Sequence, residues 1–206
     1  MKPITTLCGA AAALPLGNVD TDQIIPARFM SRSRSEGYGE QCFHDLRFDG
    51  AGRPHSDFAL NALPRPPAVL VAGDNFGCGS SREAAVYALL DYGVQAVVSS
   101  SFADIFRSNA GKNGLLTIQL AEAELSRILA ALKADPGKDA EVDLPAQTLR
   151  IGEMETMTFD IDAGLKHRLL NGLDDLSATL QNEDQIATFE GRYFANAPWV
   201  RPDPRS

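Results

Sequence analysis

Gly77-Cys78-Gly79-Ser80-Ser81-Arg82-Glu83 is the stretch of this chain best equipped for chemistry. Three glycines within seven residues, Gly73, Gly77 and Gly79, let the backbone take positive φ and come close to a ligand. Ser80 and Ser81 supply hydroxyls, and Arg82 supplies a planar fork that suits a carboxylate. A helix beginning at this point adds unpaired N–H groups and the positive end of its dipole, which together describe an anion site. Known phosphate and nucleophile signatures do not fit. The third glycine of a dinucleotide fingerprint is replaced by Arg82, no lysine completes a phosphate loop, and G-x-S-x-G is absent. A purely architectural reading competes, because Ser80 and Glu83 spell an S-x-x-E capping box that needs no function. In that reading Arg82 is a surface residue and Cys78 a small packing residue.

Two weaker patches flank this one in sequence. Asp20-Thr21-Asp22 places two carboxylates close together, as an acid/base pair, a calcium site or an Asx-type turn would. A complete EF-hand is excluded, since no spaced acidic ligands with a closing glutamate follow. Ser99-Ser100-Ser101-Phe102-Ala103-Asp104 reads as a strand end followed by a helix cap. The arginine-rich run Ser31 to Ser35 reads as a solvated loop, with an anion-contacting loop as the alternative. Cys8, Cys42 and Cys78 are too far apart for a C-x-x-C motif, and His44, His55 and His167 form no metal-binding pattern, so no metal site of its own is expected.

The elements that must position these residues alternate through the middle of the chain. Residues 68–72 are a short apolar run between Pro67 and Gly73, the pattern of a buried strand. A helix is expected over 81–92, closed by Gly93, then a strand over 95–98, a helix over 102–110 and a turn at 111–114. A strand at 115–118 leads to the clearest amphipathic helix, 121–134, with Leu125, Ile128, Leu129 and Leu132 on one stripe. Strands follow near 141–144, 147–151 and 156–161, then helices near 165–170 and 184–193, and a frayed tail. A first strand is expected before Pro15. Residues 31–67 read as a long irregular excursion with a short helix near 40–46, a length that in a compact domain is functional or disordered. Strand–helix alternation gives an α/β class with parallel pairing, and the strand-rich ends make the sheet mixed.

Composition narrows the function. A chain of 206 residues with 44% hydrophobic and 22% charged residues is ordinary for one soluble domain spanning 1–206. The net charge of −8 argues against nucleic acid, whose phosphates need a dense basic field. No run approaches the roughly 18 apolar residues of a membrane span. Gly9 and Pro15 interrupt the early apolar stretch, which reads as a strand rather than an export signal. Few, scattered cysteines point to a reducing, cytoplasmic setting.

Taken together, NVDTDQIIP at Asn18 to Pro26, DNFGCGSSRE at Asp74 to Glu83 and SFADIFRSNAGKNGLL at Ser101 to Leu116 resemble the isopropylmalate dehydratase small-subunit family. That family is similar to the swivelling C-terminal domain of aconitase. Asn171-Gly172-Leu173-Asp174 looks like the family's closing segment, and the resemblance runs in order over roughly 4 to 190. It implies a three-layer β/β/α swivelling domain and a reversible dehydration of 2- and 3-isopropylmalate in leucine biosynthesis. By the same resemblance Ser80 is the base that removes a proton alpha to a carboxylate, Arg82 and Ser81 bind a substrate carboxylate, and Asp22 orients a histidine of the partner. Arg28 is a further candidate contact to a carboxylate, and 31–61 would line the specificity pocket. The implied [4Fe–4S] cluster belongs to a large partner subunit, and none to this chain. One departure is Ala84, where the family commonly has histidine. It leaves open a paralogous hydro-lyase acting on homocitrate, citramalate or a methylated malate. A non-catalytic anion-binding module is the alternative of another class.

Overall fold

The computed structural model describes residues 1–31 and 33–201. The chain forms two compact units, Met1–Gly172 and Leu173–Ser206.

The first unit is organised by one strand that serves two partners. β1 (Thr6–Leu14) runs antiparallel to β5 (Asp139–Asp143) through its first half, Thr6 facing Asp143 and Ala10 facing Asp139. Its second half runs parallel to β2 (Val69–Ala72), Ala11 facing Val69 and Leu14 facing Ala72. The change of partner comes beside Gly9, where a Cβ would stand 2.8 Å from the Ala68 Cβ. With β3 (Ala96–Ser99), β4 (Leu116–Gln119), β6 (Thr148–Ile151) and β7 (Met157–Thr158), the sheet order is β4-β3-β2-β1-β5-β6-β7. Parallel pairing fills one half and antiparallel pairing the other. The class is therefore α/β with a mixed sheet.

Both faces of the parallel half are largely buried, so its strands are mostly apolar rather than alternating, with Ser99, Thr117 and the exposed Gln119 as the polar positions. Alternate residues still part to opposite faces. Val69, Val71, Ala96 and Val98 join Leu125, Ile128 and Leu132 of the amphipathic helix Glu122–Ala134. Ala140, Val142, Leu149 and Ile151 close over the same cluster from the antiparallel half. Leu70, Ala72 and Val97 face the other way, toward Val86 and Leu89 of the helix Ala84–Tyr92 and Phe106 of the helix Asp104–Asn113.

Two expected boundaries move. The helix expected from residue 81 starts at Ala84, because the preceding glycine-rich residues take a turn held from outside. The helix expected to stop at 110 runs on to Asn113 and closes on Gly114 at φ 83°. Gly111 fits inside it, pressed against Leu165, where its missing side chain gives the room. The 31–67 excursion carries 3-10 turns and two one-turn helices, His44–Arg47 and Ala59–Ala62. Within the arginine-rich run, Arg32 lies outside the described residues.

Later in the first unit, Asp162 caps the helix Ala163–Asn171 by accepting from the Leu165 N–H. In the second unit, Asp174 caps Asp175–Leu180 in the same way through Ser177, and Glu183–Asn196 carries a stacked Phe189–Tyr193 pair. The helix at 175–180 was not expected from the sequence. Of the expected tail at 197–206, Pro198–Val200 forms a 3-10 turn and 202–206 lie outside the described residues. Among the described residues no helix is long and apolar enough to cross a membrane.

Candidate active site

Three stretches remote in sequence meet beyond the carboxyl ends of the parallel strands, where open α/β sheets place their ligands. The glycine-rich turn after β2 pairs on one side with 18–21. Gly77 N–H donates to the Val19 carbonyl at 2.7 Å, and Thr21 N–H donates to the Cys78 carbonyl at 3.0 Å. On the other side it pairs with the segment after β3. Phe76 N–H donates to the Ser101 carbonyl at 3.0 Å, and Ser101 Oγ accepts from Asn75 N–H at 2.8 Å. Gly77 is irreplaceable in this weave: its φ is 77°, and a Cβ would lie 2.2 Å from the Phe106 ring. Phe106 in turn packs edge-on against Phe76, centroids 5.3 Å apart.

Each residue of Ser80–Glu83 is then gripped by a side chain from another stretch. Thr21 Oγ1, on a residue only 2% exposed, donates to the Ser80 carbonyl at 3.2 Å. Asn109 Nδ2 donates to the Ser81 carbonyl at 3.4 Å. Arg82 Nη1 pairs with the Asp22 carboxylate. Asn113 Nδ2 donates to the Glu83 carboxylate at 2.6 Å and to the Asn109 carbonyl at 2.9 Å.

The capping-box reading of Ser80 and Glu83 is overturned. Glu83 itself sits at the cap position, makes no side-chain cap, and spends its carboxylate on Asn113. The capping box lies instead at the other stretch. Asp20 Oδ1 accepts from Gln23 N–H at 2.7 Å, while Gln23 Oε1 accepts from Asp20 N–H at 2.9 Å, starting the one-turn helix Thr21–Ile24. Asp20 is therefore structural and Asp22, one residue into the turn, is presented toward Arg82. Ser80 and Ser81 remain exposed, and among the described residues no protein group engages their hydroxyls.

Of the residues singled out from the sequence, Ser80, Ser81, Arg82 and Asp22 come together. Arg28 stands outside this interlocked set. Its guanidinium pairs with Asp45 and lies over the Phe29 ring, and it holds the Asp45 carboxyl down at about 2. The excursion at 31–61 is anchored rather than loose. Phe43 is fully buried at φ 53° with its N–H on the Ile24 carbonyl at 2.8 Å, and Arg34 grips Asp91 at 2.6 Å while covering the Tyr87 ring. Thr21, Asn109 and Asn113 were not singled out from sequence. They fall within the motif segments at 18–26 and 101–116, but their partners lie 59, 28 and 30 positions away, so the spacing alone does not reveal what they hold.

The donors present do not fit an iron–sulfur cluster. Among the described residues no three of His, Cys, Asp or Glu converge as a metal site. Cys42 is fully buried and burial pushes its thiol far up, against the thiolate a cluster requires. Cys8 is exposed on β1 and Cys78 sits alone in the glycine-rich turn.

The family model of the aconitase C-terminal domain matches residues 1–123, and that of the C-terminal domain of the 3-isopropylmalate dehydratase small subunit matches 175–203. A 3-isopropylmalate dehydratase small subunit from Jannaschia sp. (strain CCS1) is 45% identical over 201 residues, covering 97% of this chain and 100% of the relative. One from Roseiflexus castenholzii is 45% identical over 210 residues, covering 100% of both chains. A crystal structure of 3-isopropylmalate dehydratase from Methanocaldococcus jannaschii superposes with a TM-score of 0.64 at 29% identity, covering 90% of this chain and 99% of that one. The chain belongs to the 3-isopropylmalate dehydratase small-subunit family, built on the aconitase C-terminal-domain fold.

Proposed function

We propose that this chain is the smaller half of a two-chain hydro-lyase that interconverts 2- and 3-isopropylmalate in the cytoplasm, as a step of leucine biosynthesis. The observation that carries the reading is the pair of exposed serine hydroxyls beside Arg82, on a turn held from outside through the carbonyls of Ser80 and Ser81 and through the side chains of Arg82 and Glu83.

In the dehydrating direction the Ser80 alkoxide takes the proton alpha to a carboxylate and becomes the neutral hydroxyl, the substrate's own hydroxyl departs from the adjacent carbon, and a double bond forms between the two carbons. Water then adds with the opposite regiochemistry. A serine hydroxyl is a poor base in water, so it needs positive charge and donors arranged beforehand. Arg82 supplies charge and a fork for the substrate carboxylate, with Ser81 assisting. In the free chain Asp22 occupies that fork. Substrate takes over the arginine, and the released Asp22 carboxylate orients a histidine of the large subunit. The 31–61 segment, anchored on the helix that follows the catalytic turn, lines the substrate's side-chain pocket. The [4Fe–4S] cluster of the large subunit supplies Lewis acidity for the departing hydroxyl.

The test is Ser80→Ala in the complex reconstituted with the large subunit. Turnover is expected to fall about 10²- to 10⁴-fold, the usual contribution of a positioned base. Near-full turnover removes Ser80 from that role. Ala84, half-buried in the first turn after Glu83, favours a second reading in which another small hydroxy-diacid is the substrate. Comparing kcat/KM for isopropylmalate, homocitrate and citramalate decides it, since one methylene in an apolar pocket is worth about 10- to 200-fold.

A further inference from the structure

Resting on the reading of Ser80 as the base, we propose that Thr21 and Asn109 are positioning residues that set the basicity of that serine by fixing the orientation of the two peptide planes beside it. Thr21 Oγ1 holds the Ser80 carbonyl at 3.2 Å and Asn109 Nδ2 holds the Ser81 carbonyl at 3.4 Å. These carbonyls belong to the peptides whose N–H groups are those of Ser81 and Arg82. All peptide bonds described are trans, and across a planar trans peptide C=O and N–H point in opposite directions. Pinning both carbonyls toward the body of the protein therefore turns both N–H groups away from it. Among the described residues neither meets a protein acceptor. Both serine side chains are exposed, which leaves their hydroxyls free to swing to the side on which the amides are proposed to lie. Two donors fixed there stabilise the alkoxide form of Ser80 without having to reorganise.

The two tethers differ in kind. Thr21 is a buried polar residue within the capped turn Thr21–Ile24, and its hydroxyl reaches across to the Ser80 carbonyl on another stretch. Asn109 is locked from behind, because Asn113 holds its carbonyl at 2.9 Å while gripping Glu83. The position of the serine amides is thus dictated by residues that touch no reacting atom.

The experiment uses Thr21→Val, which keeps the shape and removes the hydroxyl, and Thr21→Ser, which restores it, each reconstituted with the large subunit. Asn109→Ala tests the second tether. For Thr21→Val, kcat is expected to fall roughly 10- to 100-fold, a range set by what small misplacements at a reacting centre cost. KM, melting temperature and complex formation should stay near wild type. The acid limb of the kcat–pH profile should move upward, because a base with weaker anion stabilisation is harder to deprotonate. Thr21→Ser should recover both kcat and the profile. The idea is overturned if kcat falls with an unmoved pH profile, if it falls only in step with lost assembly, or if serine does not rescue. Should Ser80→Ala abolish turnover while Thr21→Val leaves kcat and the profile untouched, positioning fails and the base assignment stands. Should Ser80→Ala stay active, the base assignment fails first.

Discussion

Arg82 is where the chemistry of a single residue is most exposed to test. Its guanidinium is three-quarters buried and already paired with Asp22, so the fork is formed and aimed before substrate arrives. Lysine keeps the charge but presents one rotatable ammonium instead of two fixed, parallel donors. Arg82→Lys should therefore lower kcat/KM about 10- to 100-fold, the worth of a hydrogen bond to a charged group, with KM carrying the larger part. An unchanged KM in steady-state assays of the reconstituted complex would mean the arginine answers only to Asp22. The residue types behind this arrangement were plain in the sequence, since hydroxyls and a guanidinium beside three glycines describe an anion site. Their neighbours were not. S-x-x-E fits a capping box by spacing alone, yet Glu83 finds a carboxamide partner 30 positions on, and the cap is made by Asp20 and Gln23 instead. Local patterns report what can pair nearby; the long-range competitor that wins is invisible until the chain folds.

Among the elements, the turn between β2 and the following helix depends on Gly77 for two separable reasons. Left-handed backbone costs a residue with a Cβ about 1–2 kcal/mol, and overpacking a filled core costs about 1–3 more. Gly52 shares the φ of 77° but has nothing within 4 Å of a built Cβ, so it carries the first cost alone. Gly77→Ala should thus destabilise by about 2–5 kcal/mol in urea titration and Gly52→Ala by about 1–2. Equal losses at the two sites would show that the Phe106 ring yields freely. Strand and helix order was legible because the buried strands at 69–72, 96–99 and 116–119 are short apolar runs bounded by turn residues. Element ends were less so. Gly111 looked like a turn, yet it lies inside a helix because Leu165 fills the space beside it. The split pairing of β1, which makes the sheet mixed, leaves no periodic mark at all.

At the scale of the molecule, the proposed roles give this chain a base and a clamp but no group that helps a hydroxyl leave. Hydroxide is a poor leaving group, and a proton removed by Ser80 is recaptured unless it departs. On the proposed function, both halves of the reaction meet in one site, and the iron chemistry is proposed to come from the partner. The donor set of this chain does not suit a cluster. Among the described residues no cluster of His, Cys, Asp or Glu forms here, and Cys42 is held as a neutral thiol by burial. Extracting iron from the reconstituted complex with a chelator should abolish turnover, while the same treatment leaves the melting temperature of the isolated chain unchanged. Binding free energy of a metal to a native site appears as stability, so a chain that held the cluster would melt lower once stripped. Returning iron and sulfide to the large subunit alone, before mixing with untreated small subunit, should restore activity. Recovery that instead requires treating the small subunit would place cluster ligands on this chain and overturn the division of labour.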